Sequence, residues 1–411
     1  MRYDLIVVGA GASGIMAAIV VAREGKRVLL LEKLPHIGAK LKATGGGRCN
    51  LTNRLDIDSF MQSFGRQGRF ISHALEIFDS YKLTKFFEEI GVESHSPDGF
   101  RVFPTTHSSS TVIKALKREM SRYDIDIKGS QEVLSLHTID EKIDGVKTLT
   151  QRYYSSSVVI ATGGNGYPSL GTSGDGYRLA KSIGHTITPI YPAMMPLKTR
   201  ELWVANCRAD TIPKVKIKVD IPKYKKLQAT GDLIFTKDGI RGPVVLDFSR
   251  EITPIYDRLG EVPILINLTK GMNEEQIRQY IKKEVDRDPH RDVVTLLQTL
   301  LPKSLSVELC KMADMDLLLS FGKQKGIAKD KLISLLAWTP LTVVGHDGFE
   351  KAMITRGGVS LKEIDPRTMM SKISDGLYFC GEVVDLDGPC GGYNLQWSFA
   401  SGYLAGRSIL G

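Results

Sequence analysis

The sequence predicts an α/β fold, a doubly wound parallel-sheet domain interrupted by an insert. Three observations carry this. Asp4-Leu5-Ile6-Val7-Val8 is an apolar run of strand length, and Gly9-Ala10-Gly11-Ala12-Ser13-Gly14 follows at once, with helical periodicity from Ile15 to Arg23. A second buried run, Arg27-Val28-Leu29-Leu30-Leu31, ends in the acid Glu32. The patterning turns β-rich near residue 193, helical near 273, and returns to strands and turns near 340. The last part of the α/β domain is therefore expected from the C-terminus.

Each part of the opening unit has a physical task. Gly9 permits the tight turn out of the strand, Gly11 lets a pyrophosphate approach the backbone, and Gly14 lets the helix pack close to the sheet. The helix N-terminus offers unpaired N–H groups and the positive end of its dipole to phosphates. Glu32 suits the hydroxyls of an adenosine ribose and disfavours a 2′-phosphate, which argues against NADP in this site. A bare GxGxxG says little; between a strand and a helix, with an acid after the next strand, it says much.

Bulk composition narrows the class. The 411 residues suffice for two or three domains, and 42% hydrophobic content is that of an ordinary globular chain. No apolar run is long enough to cross a bilayer. The apolar start is the predicted first strand, so it is not read as a signal peptide. Cys49, Cys207, Cys310, Cys380 and Cys390 are scattered and form no CxxC, so neither a disulfide framework nor a metal site is expected, and a cytoplasmic setting is. The formal charge is +9, and the stretch from Lys198 to Lys226 holds nine basic residues against three acids. Such a stretch can attract nucleic acid, anionic lipid or an acidic substrate. It also fits a solvated sheet face, since Lys214, Lys216 and Lys218 alternate with Val215, Ile217 and Val219.

Along the chain, a helix with some irregularity is expected over 70–90 and an amphipathic one over 111–123. Strands are expected at 101–103, 125–128, 132–137, 145–149 and 157–161. Residues 1–192 with 340–411 make the nucleotide-binding domain, 193–272 a β-rich lobe and 273–339 a helical lobe. The final helix is expected over about 395–410.

Three further segments carry chemistry. Gly45-Gly46-Gly47-Arg48-Cys49-Asn50 removes side chains where a planar or phosphorylated ligand can lie, and adds donors; Lys40 and Lys42 stand just upstream. Ala161-Thr162-Gly163-Gly164 follows a buried strand, and no second nucleotide unit with its own acid follows it, so no dedicated NAD(P) domain is expected. Leu377-Tyr378-Phe379-Cys380 leads to Gly381-Glu382, and the glycines before Tyr393-Asn394-Leu395 leave the last helix start open. Aimed at the pyrimidine end of a flavin, that helix start would stabilise the charge gained on reduction.

GGGRCNLTN at 45–53, ATGG at 161–164 and the run from Gly376 to Gly406 resemble the bacterial BaiN-type, or aminoacetone-oxidase-type, FAD-dependent oxidoreductases over essentially the whole chain. The resemblance implies a Rossmann-like FAD-binding domain of the glutathione-reductase-like kind, interrupted by an insert with a β-rich lobe and a helical lobe. The cofactor contacts expected from the motifs and the resemblance together are Gly9, Gly11, Ala12, Ser13, Gly14, Glu32, Lys33, Lys40, Leu41, Gly46, Gly47, Arg48, Cys49, Asn50, Val133, Ala161, Thr162, Gly163, Gly164, Gly381, Glu382, Gly392, Asn394 and Leu395. The chain departs from the family pattern at Lys237 and Arg241, where a histidine and a serine are usual in the segment ending Gly242-Pro243, and at Met370, where an acid is usual.

Arg356 and His107 are the candidate catalytic residues. Arg356 precedes Gly357-Gly358 and can hold a carboxylate or a developing anion; His107 can serve as acid or base or only cap the helix after it. The leading expectation is an oxidoreductase passing two electrons between FAD and a small organic substrate, with NAD(P)H as a transient donor or oxygen as partner. Two alternatives stand beside it: a flavin-dependent nucleic-acid-associated protein using the basic stretch, and a non-catalytic flavin redox sensor.

Overall fold

A computed structural model describes residues 2–411. The chain divides into two compact units, one made of the stretch up to Pro192 with Met353–Gly411, the other of Ala193–Ala352.

The first unit is built on a five-stranded parallel sheet. β1 (Leu5–Val8) lies at its centre, flanked by β2 (Val28–Leu31) and by Val158–Ile160; Asp126–Lys128 lies beyond β2 and Leu377–Phe379 closes the other edge. Val7 is in register with both Leu30 and Val159. All four residues of β1 and all four of β2 are buried, as a sheet covered on both faces requires. The chain leaves β1 toward β2 on one side and returns to Val158–Ile160 on the other, so a topological switch point lies beside β1.

α1 (Ala12–Arg23) runs back from β1 with residues 13–22 all buried. It needs that burial because the last helix, Tyr393–Leu410, packs directly on it. The packing is backbone to backbone: a side chain at Gly402 would overlap the Ser13 carbonyl, and one at Gly406 would come within 2.9 Å of Val20 Cβ. The expected helix over 70–90 is two helices, Ser72–Ile77 and Ser80–Glu89. Asp79 breaks it by capping the second one, accepting a hydrogen bond from Lys82 N at 2.8 Å. Two small antiparallel sheets complete the unit, one of Thr52–Asn53, Arg101–Pro104 and Ser94–His95, the other of Val133–Ile139, Lys142–Thr148 and Arg152–Tyr154.

The second unit is a closed six-stranded barrel with helices on one core. Around the barrel run Leu197–Thr199, Gly239–Arg241, Gln228–Phe235, Thr211–Val219, Val262–Asn267 and Thr339–His346. Val215, Ile217 and Val219 point into the core while Lys216 and Lys218 stand half-exposed, which is the alternation expected from the sequence.

Two boundaries differ from expectation. The insert ends at Ala352 rather than near 340, because Thr339–His346 closes the barrel by pairing with Val262–Asn267 and Leu197–Thr199. The β-rich and helical stretches share one hydrophobic core and are one unit rather than two lobes. A 17-residue helix, Pro243–Leu259, also stands inside the stretch read as β-rich. Its own signals are plain afterwards: Pro243 at the first turn, Val244, Val245, Phe248, Ile252 and Ile255 buried at helical spacing, and Gly260 with φ of 78° at the end.

The seam between α1 and the last helix admits no added atom. Gly402→Ala is expected to cost about 2–3 kcal/mol through overpacking, read as a lower midpoint in urea unfolding.

Candidate active site

The switch point opens into a cleft within the first unit. Its floor is the carboxyl end of the sheet: residues 8–13, 31–33 and 161–163 line it. This is where open parallel sheets bind ligands.

The phosphate end follows from the β1–α1 turn. Gly9 has φ of 100°, and a Cβ there would come within 2.6 Å of the Ala161 carbonyl. Gly14 has no room either, since a side chain would overlap the Gly9 carbonyl. Gly11 is different: nothing lies within 4 Å of where its Cβ would stand, so a side chain there would project into the cleft. The helix start carries no side-chain cap and no acid in its first turn, so its N–H groups remain available to an anion.

Glu32 is fixed before any ligand arrives. Its carboxylate accepts hydrogen bonds from Ala10 N and Leu34 N, both at 2.9 Å. Glu382, after the last strand of the sheet, is held in the same manner. It accepts from Thr355 N at 2.8 Å and pairs with Lys40 Nζ at 2.7 Å. Thr355 Oγ1 in turn accepts from Asn165 N at 2.7 Å, tying the 161–165 loop to the strand that carries Arg356. Gly164 must be glycine here, because a Cβ would lie 2.6 Å from the Glu382 carboxylate.

The C-terminal segment closes the cleft. Asn394 and Leu395 line it. Asn394 braces the preceding turn, accepting from Gly388 N and donating to Gly388 O, both at 2.8 Å. Gly392, with φ of 90°, starts the last helix without a side-chain cap. Gly381 is gripped from both sides, its N–H donating to Ser401 Oγ at 2.9 Å and its carbonyl accepting from Trp397 Nε1 at 3.1 Å.

Of the residues singled out from sequence, the cleft brings together Gly9, Gly11, Ala12, Ser13, Glu32, Lys33, Lys40, Leu41, Val133, Ala161, Thr162, Gly163, Glu382, Asn394 and Leu395. Gly14, Gly164, Gly381 and Gly392 stand behind its wall as packing positions. Gly46, Gly47, Arg48 and Cys49 do not line it. Asn50 is a brace, accepting from Gly392 N at 3.0 Å and donating to Thr52 O at 3.0 Å. Cys49 is buried, and burial pushes its thiol up to about 12, so it is inert at neutral pH. His107 is exposed and sits with φ of 49° after Pro104, away from the cleft lining.

Arg356 ends a short strand, Ile354–Arg356, whose Ile354 lines the cleft. Sequence reasoning missed its neighbour Asp385. Burial pushes that carboxyl above the usual range and the charge of Asp387 adds to this, against hydrogen bonds with Thr188 and Gln67 and the Arg356 charge. Thr355 was missed as well; no sequence signal marks a threonine whose role is to bond two distant segments. Among the described residues no cluster of histidines, cysteines and acids is placed to hold a metal ion, and no helix is long and apolar enough to cross a membrane.

A parallel sheet with an uncapped glycine-rich helix start at its switch point, and acids fixed after two of its strands, defines a flavin-type dinucleotide-binding oxidoreductase. The chain belongs to the HI0933-like family, whose Rossmann-domain model matches residues 3–408. It is 33% identical over 405 residues to a 3-dehydro-bile acid delta(4,6)-reductase of Clostridium scindens, covering 98% of both chains. It is 28% identical over 418 residues to a ribosomal RNA dihydrouridine synthase of Escherichia coli, covering all of this chain and 98% of that one. Among solved structures, a 3-ketosteroid delta1-dehydrogenase from Sterolibacterium denitrificans superposes with a TM-score of 0.54 at 12% identity, covering 99% of each chain, and shares the fold. The protein is an FAD-dependent oxidoreductase.

Two outcomes test this geometry. Gly11→Val is expected to abolish FAD binding in a reconstitution titration while the apoprotein keeps its melting temperature, because the new side chain meets only the cleft. Iodoacetamide on the native protein at pH 8 is expected to label Cys390, which is exposed. Cys49, Cys207, Cys310 and Cys380 are buried, with thiols pushed up to about 12, and are expected to stay unlabelled in the peptide map.

Proposed function

We propose that the protein reduces a carbon–carbon double bond conjugated to a carbonyl, drawing its electrons from NAD(P)H through FAD. The observation that carries this reading is the pair of full-length relatives. One is named for reducing a 3-oxo steroid at positions 4 and 6, the other for making dihydrouridine in RNA. Uracil and an unsaturated 3-oxo steroid share that one functional group. Reduction adds two electrons and two protons across the double bond, and the nicotinamide is oxidised.

In this reading the backbone N–H groups at Gly11–Ser13 hold the pyrophosphate, and Glu32 holds the adenosine ribose. Glu382, steered by Thr355 and Lys40, holds the ribitol chain. The fit rests on the open space over Gly11 and on two carboxylates already oriented by backbone donors. The bound isoalloxazine supplies reversible two-electron chemistry. Arg356 holds the substrate carbonyl oxygen as it gains negative charge. Asp385, kept protonated to higher pH by burial, returns the proton to carbon. His107 is set apart from this chemistry by its position. The five scattered cysteines fit a reducing, cytoplasmic setting.

Anaerobic titration with NADH and then NADPH is expected to bleach the flavin absorbance, and an added conjugated enone or uridine-containing RNA to restore it. A flavin that stays oxidised with both nucleotides would sink the reductase reading. Arg356→Ala is expected to lower kcat/KM on the order of a hundredfold, the size of a lost oxyanion donor. A proton donor must carry its proton, so activity is expected to fall as pH rises through the elevated Asp385 pKa. In Asp385→Asn that limb is expected to vanish from the pH profile along with most of kcat.

A further inference from the structure

One cationic cluster lies outside the cleft lining and has no part in the chemistry above. On the small sheet of Thr52–Asn53, Arg101–Pro104 and Ser94–His95, Phe103 is buried and pairs with His95. Two guanidinium groups converge on its ring, Arg48 at 5.7 Å and Arg101 at 5.8 Å from the centroid. The His107 ring lies 5.8 Å from Phe103 and 4.6 Å from His95, edge-on to the latter. Arg48, Arg101 and His107 are all exposed. Sequence separates these residues by as many as 59 positions, yet they stand around one ring.

Three further observations set this apart from a solvated charge run. Cys49, next to Arg48, and His107 itself are non-glycine residues in the left-handed region, at φ of 61° and 49°. Backbone of that kind persists only where its surroundings enforce it, and it concentrates at functional sites. His95 Nδ1, on the strand paired with Phe103, and Ser96 Oγ of the next residue are buried atoms without a hydrogen-bond partner. The triple glycine leaves the approach bare: nothing lies within 4 Å of a Cβ at Gly46 or Gly47. Against the cations stands Asp98, paired with Arg101 Nε at 2.6 Å, while Arg48 Nε also donates to Gly45 O at 3.3 Å. Thr44, which opens this loop, lines the cleft, so the cluster begins where the cleft wall ends.

We propose that Arg48, Arg101 and His107, gathered around Phe103, form an oxyanion-binding platform that holds the phosphate or carboxylate of an anionic substrate beside the cleft. Guanidinium groups suit both oxyanions by their planar fork of donors, and the ring beneath holds them in place. The platform's assignment to the substrate rests on the reductase reading; its binding of an oxyanion does not.

The experiment uses the FAD-loaded protein and equilibrium binding by calorimetry. The probes are a short uridine-rich RNA, a C24 steroid carboxylate and the methyl ester of that steroid. Arg101→Gln alone checks that the flavin spectrum and melting temperature persist, since it changes an exposed side chain outside the cleft. R48Q/R101Q is expected to weaken the bound anion on the order of tenfold or more, and to reduce the salt slope of RNA binding by about 1–2. RNA binding that weakens in this way identifies the phosphate source. A steroid carboxylate that binds better than its ester, with the difference lost in the double variant, identifies the carboxylate source. Equal binding by wild type and R48Q/R101Q overturns the platform, as does no binding of any anion by the wild type. Failure of NAD(P)H and enone turnover with the anion effect intact would instead remove the reductase reading and leave the platform.

Discussion

Everything in the first unit depends on one constraint: the two ends of the chain meet backbone to backbone, with no side chain between them. Gly14 lets α1 lie on β1, and Gly402 and Gly406 let the last helix lie on α1. The Ser13 hydroxyl donates to the Cys380 carbonyl at 3.4 Å, and Gly381 has no space for a Cβ because Ser13 occupies it. The cost of so many glycines is conformational entropy in the unfolded chain. What it secures is placement: two helices that begin without side-chain caps, Ala12–Arg23 and Tyr393–Leu410, have residues from their first turns in the wall of one cleft.

The same constraint sets the electrostatics. Glu32 follows β2, and Glu382 follows the edge strand Leu377–Phe379. Three strand spacings separate those strands in the sheet, roughly 14 Å at about 4.8 Å each. That distance suits an extended dinucleotide better than a mononucleotide. Both carboxylates are oriented by backbone N–H groups, so neither must reorganise to accept a hydroxyl. Lys40 compensates Glu382, and through Thr355 the same acid is linked to the strand carrying Arg356. A change at the flavin chain can therefore be felt one residue from the proposed substrate-binding arginine.

Much of this unit was legible in the sequence because its signals are local. A strand, a GxGxxG turn, a helix and an acid follow one another within 28 residues, and each reports its own geometry. The insert was legible only as a change of pattern. Thr339–His346 reads as a strand, but nothing local says that it closes a barrel instead of rejoining the parallel sheet. Pro243–Leu259 was hidden because Gly242-Pro243 also reads as a turn, and its buried residues show only by helical spacing. The GGGRCN run is less legible for a different reason. Its composition says that a ligand can approach closely; it does not say which side of the loop faces the cleft, and only Thr44 at its start does. Thr355 and Asp385 have partners between 27 and 318 residues away, which no local pattern announces.

Charge counting and charge convergence lead to different places on this molecule. The stretch from Lys198 to Lys226 holds nine basic residues against three acids, yet the barrel strand accounts for part of this: a strand with Val215, Ile217 and Val219 inward must present Lys214, Lys216 and Lys218 outward or to the rim. One of these is already engaged, with Lys218 Nζ lying 3.8 Å over the Trp338 ring. Such a face follows from solubility alone. Arg48 and Arg101 are fewer, but they come from separate segments and each lies within 6 Å of one aromatic ring. Asp98 pairs with Arg101 and offsets part of the repulsion between the two, leaving Arg48 as the excess charge. Their convergence, beside two left-handed residues whose strain the fold maintains, therefore assigns anion recognition to the Phe103 face ahead of the basic face of the barrel.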